Sequence, residues 1–104
     1  MSDIQSRLKE LFDRIPRRHT SENVKEIYSL LEEYEAVLQE MEGTEAYPRE
    51  GIERLFETLD PIRATVKKSN DGKASKKGKD DLFDEASVAL KDSVEEAMQL
   101  ASRP

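Results

Sequence analysis

Apolar residues recur every three or four positions along most of this chain, and polar residues fill the positions between them. This spacing matches the turn of an α-helix and predicts amphipathic helices that each bury one face. No segment shows the alternation typical of a β-strand. The first three apolar stripes are Ile4, Leu8, Leu11, Phe12 and Ile15; Val24, Ile27, Leu31, Tyr34, Leu38 and Met41; and Ile52, Leu55, Leu59, Ile62 and Val66.

Residues with special backbone preferences mark the ends of these helices. Pro16 disfavours the helical conformation of the residue before it, so the first helix is predicted over about residues 3 to 15. Thr20 or Ser21 can cap the second helix. Pro61 interrupts the third stripe, and a proline inside a helix removes a hydrogen bond and clashes with the preceding turn. The third helix is therefore predicted to be kinked or split at Pro61.

A fourth apolar stripe near the end of the chain predicts a helix over about residues 81 to 101. Half of its positions are alanines, which allow close packing but bury little area, so we expect this helix to dock weakly. The stripe consists of Phe83, Ala86, Leu90, Val94, Ala97 and Ala101.

Residues 67–79 separate the third and fourth stripes and contain six lysines, with one alanine as their only apolar residue. Such a segment cannot bury a face, so it is predicted to be a flexible loop. The predicted fold class is all-α: an antiparallel bundle of three to four helices, with the last helix attached by this flexible Lys-rich loop. One helical domain spans residues 1–104, as a three-helix block (1–66), the basic loop (67–79) and a C-terminal helix (80–104).

Composition limits the core that these helices can build. The chain has 104 residues, of which 38% are charged and only 23 are Leu, Ile, Val or Phe. We therefore expect some stripe residues to stay exposed in a monomer. The second stripe has the heptad spacing of a coiled coil, so a helix from a second copy or from another protein is expected to cover them.

The candidate partner-binding residues lie on the second and fourth predicted helices. Tyrosine and phenylalanine suit such contacts because each buries a large area with few rotatable bonds. The set is Tyr28, Tyr34, Val37, Leu38, Phe83, Leu90 and Val94.

The sequence offers few residues that could act in catalysis. The chain has no cysteine and a single histidine, His19, which we expect to be exposed in a loop. No second histidine is present to activate a serine or threonine, and there is no Glu-x-x-His motif of a metal-binding bundle. We therefore predict no catalytic residue, no metal site and no cofactor.

Charge divides the chain into three blocks. The net charge is −6 overall, with −6 in residues 1–66, +5 in residues 67–79 and −5 in residues 80–104. Two cationic segments are candidate sites. One leads into the start of the second helix, where positive side chains and free N–H groups can hold an anion, and the other can contact phosphates without base specificity. These segments contain Arg14, Arg17, Arg18 and His19, and Lys67, Lys68, Lys76, Lys77 and Lys79.

Both segments also have plain structural explanations, as a turn that offsets a helix dipole and as a solvated linker. The leading functional prediction is a non-enzymatic protein–protein interaction module, such as an adaptor, assembly subunit or small regulatory protein, that uses amphipathic helix faces. Its partner would be another protein or a second copy of this chain. Two alternatives are an acidic inhibitor that mimics nucleic acid in a basic groove, and a nucleic-acid accessory protein that uses the Lys-rich loop.

Net acidity disfavours nucleic acid as the main partner, because nucleic-acid-binding domains usually present a basic face. Uninterrupted apolar runs do not exceed three residues, so no membrane span is expected, and an intracellular, cytoplasmic location is predicted. Glu26, Glu33 and Glu40 recur at seven-residue steps, and this acidic row is expected to face solvent or a partner.

Overall fold

The computed structural model describes residues 4–44, 47–73 and 75–102. Within these ranges all regular structure is α-helical. Helix α1 spans Ile4–Arg14, α2 spans Ser21–Glu42, α3 spans Arg49–Ser69 and α4 spans Lys76–Ser102. The prediction of an all-α fold is confirmed, and each predicted apolar stripe lies on one of these helices, except that Ile15 follows the end of α1.

Local hydrogen bonds hold the start of α2 in place. The Thr20 Oγ1 atom accepts a hydrogen bond from the backbone N–H of Asn23 at 3.0 Å, which satisfies one of the free donors of the first turn. The side-chain amide of Asn23 donates to the carbonyl of Arg18 at 2.8 Å. Together these bonds attach the connection between α1 and α2 to the first turn of α2.

Helix α3 continues through Pro61, so the split that the sequence allowed does not occur. Pro61 and Glu57 are both exposed. Water can therefore satisfy the Glu57 carbonyl, which has lost its helical donor. The hydroxyl of Thr65 donates to the carbonyl of Pro61 at 2.9 Å. The kink stays a prediction.

The predicted boundaries of the Lys-rich loop are wrong. Helix α3 runs to Ser69 and α4 begins at Lys76, so the connection between them is only residues 70–75. Lysine is a good helix former, and caps at both ends extend the helices. The buried Ser69 hydroxyl donates to the carbonyl of Val66 at 2.6 Å, and the Ser75 Oγ atom accepts from the N–H of Gly78 at 3.0 Å.

Helices α1 and α2 run antiparallel. The guanidinium of Arg14, at the end of α1, contacts Glu26 near the start of α2 at 2.9 Å, whereas Arg7 pairs with Glu40 near the end of α2. The short connection of residues 15–20 permits no other direction for helices that pack side by side.

Helix α4 closes the bundle by packing against both α3 and α1. It runs antiparallel to α3, since Gly51 lies against Leu100 and the hydroxyls of Thr58 and Ser93 are 2.8 Å apart. Because α2 also packs against α3, each helix contacts two antiparallel neighbours. The result is a four-helix bundle with extents of 46 × 24 × 17 Å.

The expectation that stripe residues stay exposed is wrong. Twenty-two apolar residues form one buried cluster that draws on all four helices. Among the described residues, Val88 is the only large hydrophobic one that is exposed, at 40%. The physical reason is the length of α4, whose 27 residues cover the stripes of α1 and α3 that a three-helix block would leave open.

Candidate anion-binding end

The antiparallel order of the helices brings the two cationic segments to the same end of the bundle. Helix α4 connects them: the Arg17 guanidinium bonds Asp84 at 2.9 Å, and the Ser87 hydroxyl donates to the Pro16 carbonyl at 2.7 Å. The register between α3 and α4 places Lys67 and Lys68 beside the same turn of α4. The short connection of residues 70–75 then adds Lys73 at this end, and the first turn of α4 adds three more lysines.

We call this region the basic end and define it by eight cations that have no ion pair with any described residue. Among the other described cations six form ion pairs, including Arg14 and Arg17 at this same end, and only Arg49 and Lys91 do not. Lys91 instead lies over the ring of Phe12, with its Nζ atom 5.4 Å from the ring centre. The basic end consists of Arg18, Lys25, Lys67, Lys68, Lys73, Lys76, Lys77 and Lys79.

Acidic residues accompany these cations. Five carboxylates at the same end also lack ion pairs within the described residues, which leaves an excess of positive charge there although the chain is acidic overall. Salt screens the interaction between exposed charges that are more than about 10 Å apart. The excess of positive charge at this end therefore affects a bound partner more than the net charge of the whole chain does. These carboxylates belong to Glu22, Asp71, Asp80, Asp81 and Glu85.

Two of the four residues predicted as an anion site have carboxylate partners in the protein itself. Arg14 donates to Glu33 and Glu26 at 3.1 and 2.9 Å, and these hydrogen bonds raise the pKa of Arg14 above its ordinary value. Arg17 donates through Nε and Nη2 to the Oδ1 atom of Asp84. Arg18 is the only arginine of this set that remains unpaired.

His19 is not the exposed loop residue that we expected. Its side chain is half-buried and packs edge-on against the ring of Phe83, with 5.7 Å between ring centres. The Nε2 atom is buried and has no hydrogen-bond partner within the described residues. The contact with Phe83, which lies two turns into α4, accounts for part of this burial.

Six of the seven predicted partner-binding residues lie in the core of the bundle, so they are not available to a partner in this fold. Tyr28 alone is half-buried at the surface. The heptad spacing that suggested an intermolecular seam instead marks contacts among the four helices of one chain. The six buried residues are Tyr34, Val37, Leu38, Phe83, Leu90 and Val94.

Tyr34 belongs to a buried polar network that sequence analysis did not reveal. Its hydroxyl lies 2.9 Å from the carbonyl oxygen of Ser93 and 2.8 Å from the Ser93 Oγ atom, which in turn is 2.8 Å from the hydroxyl of Thr58. Burial raises the pKa of Tyr34 well above its ordinary value of 10.0. The position of Ser93 beside the apolar stripe of α4 was the one sign of this network in the sequence. Serine is equally common on exposed helix faces, so that position alone does not predict a buried network.

A groove adjoins the basic end between α2 and the last turns of α3. Tyr28 and Ala64 face it from the two helices, Lys67 and Lys68 line one side, and residues 70–72 close it. Its volume is about 650 Å³. The groove depends on the direction and register of α2 and α3, which a sequence pattern does not specify.

The acidic row on α2 remains accessible to solvent, as expected, but its carboxylates also form ion pairs with α1. Glu26 and Glu33 both pair with Arg14, and Glu40 pairs with Arg7. The two arginines offset two of the three negative charges that an acidic mimic of nucleic acid would use. That alternative stays a prediction, and it would have to use other carboxylates.

The described residues contain no group of three or more His, Asp or Glu side chains placed to hold a metal ion. None of the helices described is both long enough and apolar enough to cross a membrane. The cytoplasmic location stays a prediction.

The fold and the candidate site define a class: an antiparallel four-helix bundle with unpaired cations concentrated at one end. Comparison adds no further identification, since no known protein family, curated protein or solved structure matches this chain.

Proposed function

We propose that this protein is a non-enzymatic interaction module that binds an anionic macromolecule at the basic end. The observation that carries the proposal is the contrast in pairing: eight of the ten described cations at that end lack ion pairs, since only Arg14 and Arg17 have them, whereas four of the six cations described elsewhere are paired. Unpaired lysines on one end repel one another, and an anionic partner would relieve that repulsion.

The first turn of α4 supports the same proposal. It contains Lys76, Lys77 and Lys79 and no acidic residue. A helix N-terminus carries a partial positive charge, so lysines are electrostatically unfavourable there. Positive side chains and free N–H groups at one helix start both attract anions.

The proposed partner can still be a protein, but it would bind a different surface from the one that the sequence predicted. The partner would no longer dock on apolar helix faces, because those faces form the core. It would present a run of acidic residues or phosphates to the basic end. Both the interaction module and the nucleic-acid accessory protein predicted from the sequence then use one surface.

Two triple variants of equal net charge test the proposal. The first replaces Lys67, Lys68 and Lys77 with glutamine at the basic end. The second, the control, replaces Lys9, Arg49 and Arg54 with glutamine; Lys9 lies on α1 away from the basic end, and the arginines lie at the opposite end. Both change the net charge from −6 to −9. The control also removes the exposed Lys9–Asp13 and Arg54–Glu96 ion pairs, so circular dichroism verifies that both variants fold.

Binding is measured by fluorescence anisotropy with labelled polyphosphate, polyglutamate and oligothymidylate at several salt concentrations. We expect the basic-end variant to bind more than about tenfold more weakly at low salt and to reduce the slope of log K against log salt by about 2. The control should bind like the wild type. Equal losses in both variants, or no binding of any polyanion by the wild type at low salt, would refute the proposal.

A further inference from the structure

The groove beside the basic end carries a more specific inference, which rests on the proposed function. Tyr28 is the only tyrosine at this end, since Tyr34 is buried in the middle of the bundle and Tyr47 lies at the opposite end. Its ring is half-buried against the core. The Tyr28 hydroxyl has no hydrogen-bond partner among the described residues, so the ring is held by packing alone.

Two lysines stand beside this ring without ion pairs. Lys67 and Lys68 line the same groove as Tyr28, and both are exposed. Lys25 is three residues before Tyr28 on α2 and is therefore on the same side of that helix. A planar aromatic surface thus lies within a group of three unpaired lysines.

We propose that this groove binds one base of a single-stranded nucleic acid, with the base stacked on Tyr28 and the flanking phosphates contacted by the lysines. An aromatic surface next to a cationic track is how proteins bind single strands without sequence preference. A duplex keeps its bases stacked on one another and offers no free base face to Tyr28. An acidic polypeptide matches the lysines but makes no use of the ring.

The groove has room for such a base. Its volume of about 650 Å³ lies in the range of small-molecule sites, and its walls combine Ala64 and Tyr28 with polar residues of the 70–72 turn. One carboxylate, Asp71, also lines the groove. Its Oδ1 atom accepts the backbone N–H of Lys73 at 3.0 Å, which offsets part of its negative charge.

Three ligands with equal numbers of phosphates separate stacking from charge. They are an oligothymidylate, the same strand with abasic sites at every position, and a duplex with matched total phosphate. We expect the wild type to bind the oligothymidylate roughly 5- to 100-fold more tightly than the abasic strand, because stacking on one aromatic ring contributes about that much. The duplex should bind no more tightly than the abasic strand.

Three variants assign the stacking to one residue. Tyr28→Leu should remove the preference for the oligothymidylate over the abasic strand, whereas Tyr28→Phe should keep it because phenylalanine presents the same ring. Tyr47→Leu changes a half-buried tyrosine at the opposite end and should also keep it. Circular dichroism verifies that each variant folds.

A readout in the unsubstituted chain keeps the proposal testable even if Tyr28→Leu does not fold. The chain has no tryptophan and three tyrosines, so its emission comes from tyrosine. Stacking of a base on Tyr28 should quench that emission with the oligothymidylate and not with the abasic strand.

The outcomes separate this inference from the proposed function. Equal binding of the oligothymidylate and the abasic strand would overturn the role of Tyr28 while leaving charge-based binding intact. Tighter binding of polyglutamate than of the oligothymidylate would also overturn it and would identify an acidic polypeptide as the partner. Failure to bind any of these polyanions at low salt would overturn both.

Discussion

Tyr34 shows how one residue can be essential to the fold while its sequence pattern suggests a partner contact. It lies on the heptad seam of α2, is fully buried and reaches across the core to Ser93 on the diagonally opposite helix. Since a buried hydroxyl needs hydrogen-bond partners, this contact requires α4 to pack in one register. The network thus specifies the bundle as well as stabilising it.

The raised pKa of Tyr34 predicts how stability changes at alkaline pH. Below the ordinary pKa of 10.0 the phenol is neutral in both the folded and the unfolded chain, so its contribution is present in full. Above it, the unfolded chain ionises while the buried Tyr34 stays neutral, and the free energy of unfolding falls by up to about 1.4 kcal/mol per pH unit.

The variant Tyr34→Phe isolates this effect. At neutral pH it should be about 1 kcal/mol less stable than the wild type, because two hydrogen bonds are lost. Above about pH 10 the difference should shrink and then reverse, since phenylalanine cannot ionise. Urea unfolding across this pH range measures both, with Tyr47→Phe as the control that should follow the wild type. A constant difference at every pH would contradict the account.

At the scale of helices, α3 combines a strong apolar stripe with a proline that most helices would not contain. Burial of Ile62 and Val66 beyond Pro61 keeps the helix continuous. Packing against α2 and α4 therefore outweighs the lost hydrogen bond, as tertiary contacts commonly outweigh local propensity.

This balance predicts that Pro61→Ala stabilises the protein. Alanine restores the backbone N–H that the Glu57 carbonyl lacks and removes the clash of the ring with the preceding turn. We expect the free energy of unfolding to rise by about 1 to 3 kcal/mol in urea titrations.

Pro48 provides the matched control, since it lies at the start of α3, where no helical hydrogen bond is missing. Pro48→Ala should change stability by less than about 0.5 kcal/mol. If Pro61→Ala were neutral or destabilising, the helix would not have the strain that we assign to it.

At the scale of the whole molecule, the closed core removes the reason for self-association. Among the described residues, Val88 is the one large hydrophobic side chain that is exposed. A stable dimer usually buries a sizeable apolar area, and the described residues expose few large apolar side chains with which to form it.

We therefore expect the protein to be a monomer in solution. Sedimentation equilibrium from micromolar to near-millimolar concentration should give the mass of one chain throughout, in low and in high salt. A dimer that persists in high salt would show that apolar surfaces do meet between chains, as the heptad seams first suggested.

The helices could be predicted because apolar periodicity depends only on local order along the chain. The same periodicity could not tell which surface covers a stripe, so Leu38, Phe83 and Leu90 were assigned to a partner when α4 and its neighbours bury them. The loop was predicted too long because lysines are polar and yet good helix formers. The burial of the stripes and the length of the loop both depend on contacts between helices, and the spacing of apolar residues does not reveal those contacts.

The candidate site was predicted only in fragments. Arg18 and the lysines were identified as two separate cationic segments, and their convergence depends on the direction of α4, which a sequence pattern does not specify. Arg14 and Arg17 looked equally available, but carboxylates distant in sequence pair with them. The distinction between paired and unpaired cations therefore exists only in the folded chain.

The central claim is that one end of this bundle, and not its acidic remainder, binds an anionic macromolecule. The most direct test is a titration of the isotopically labelled protein with oligothymidylate at low salt, followed by ¹H–¹⁵N correlation spectra. The account predicts shift changes in residues 17–28 and 64–80 that disappear at high salt, with residues 38–44 and 94–102 unchanged. Shift changes centred on the opposite end, or spectra unaffected by the titration, would contradict it.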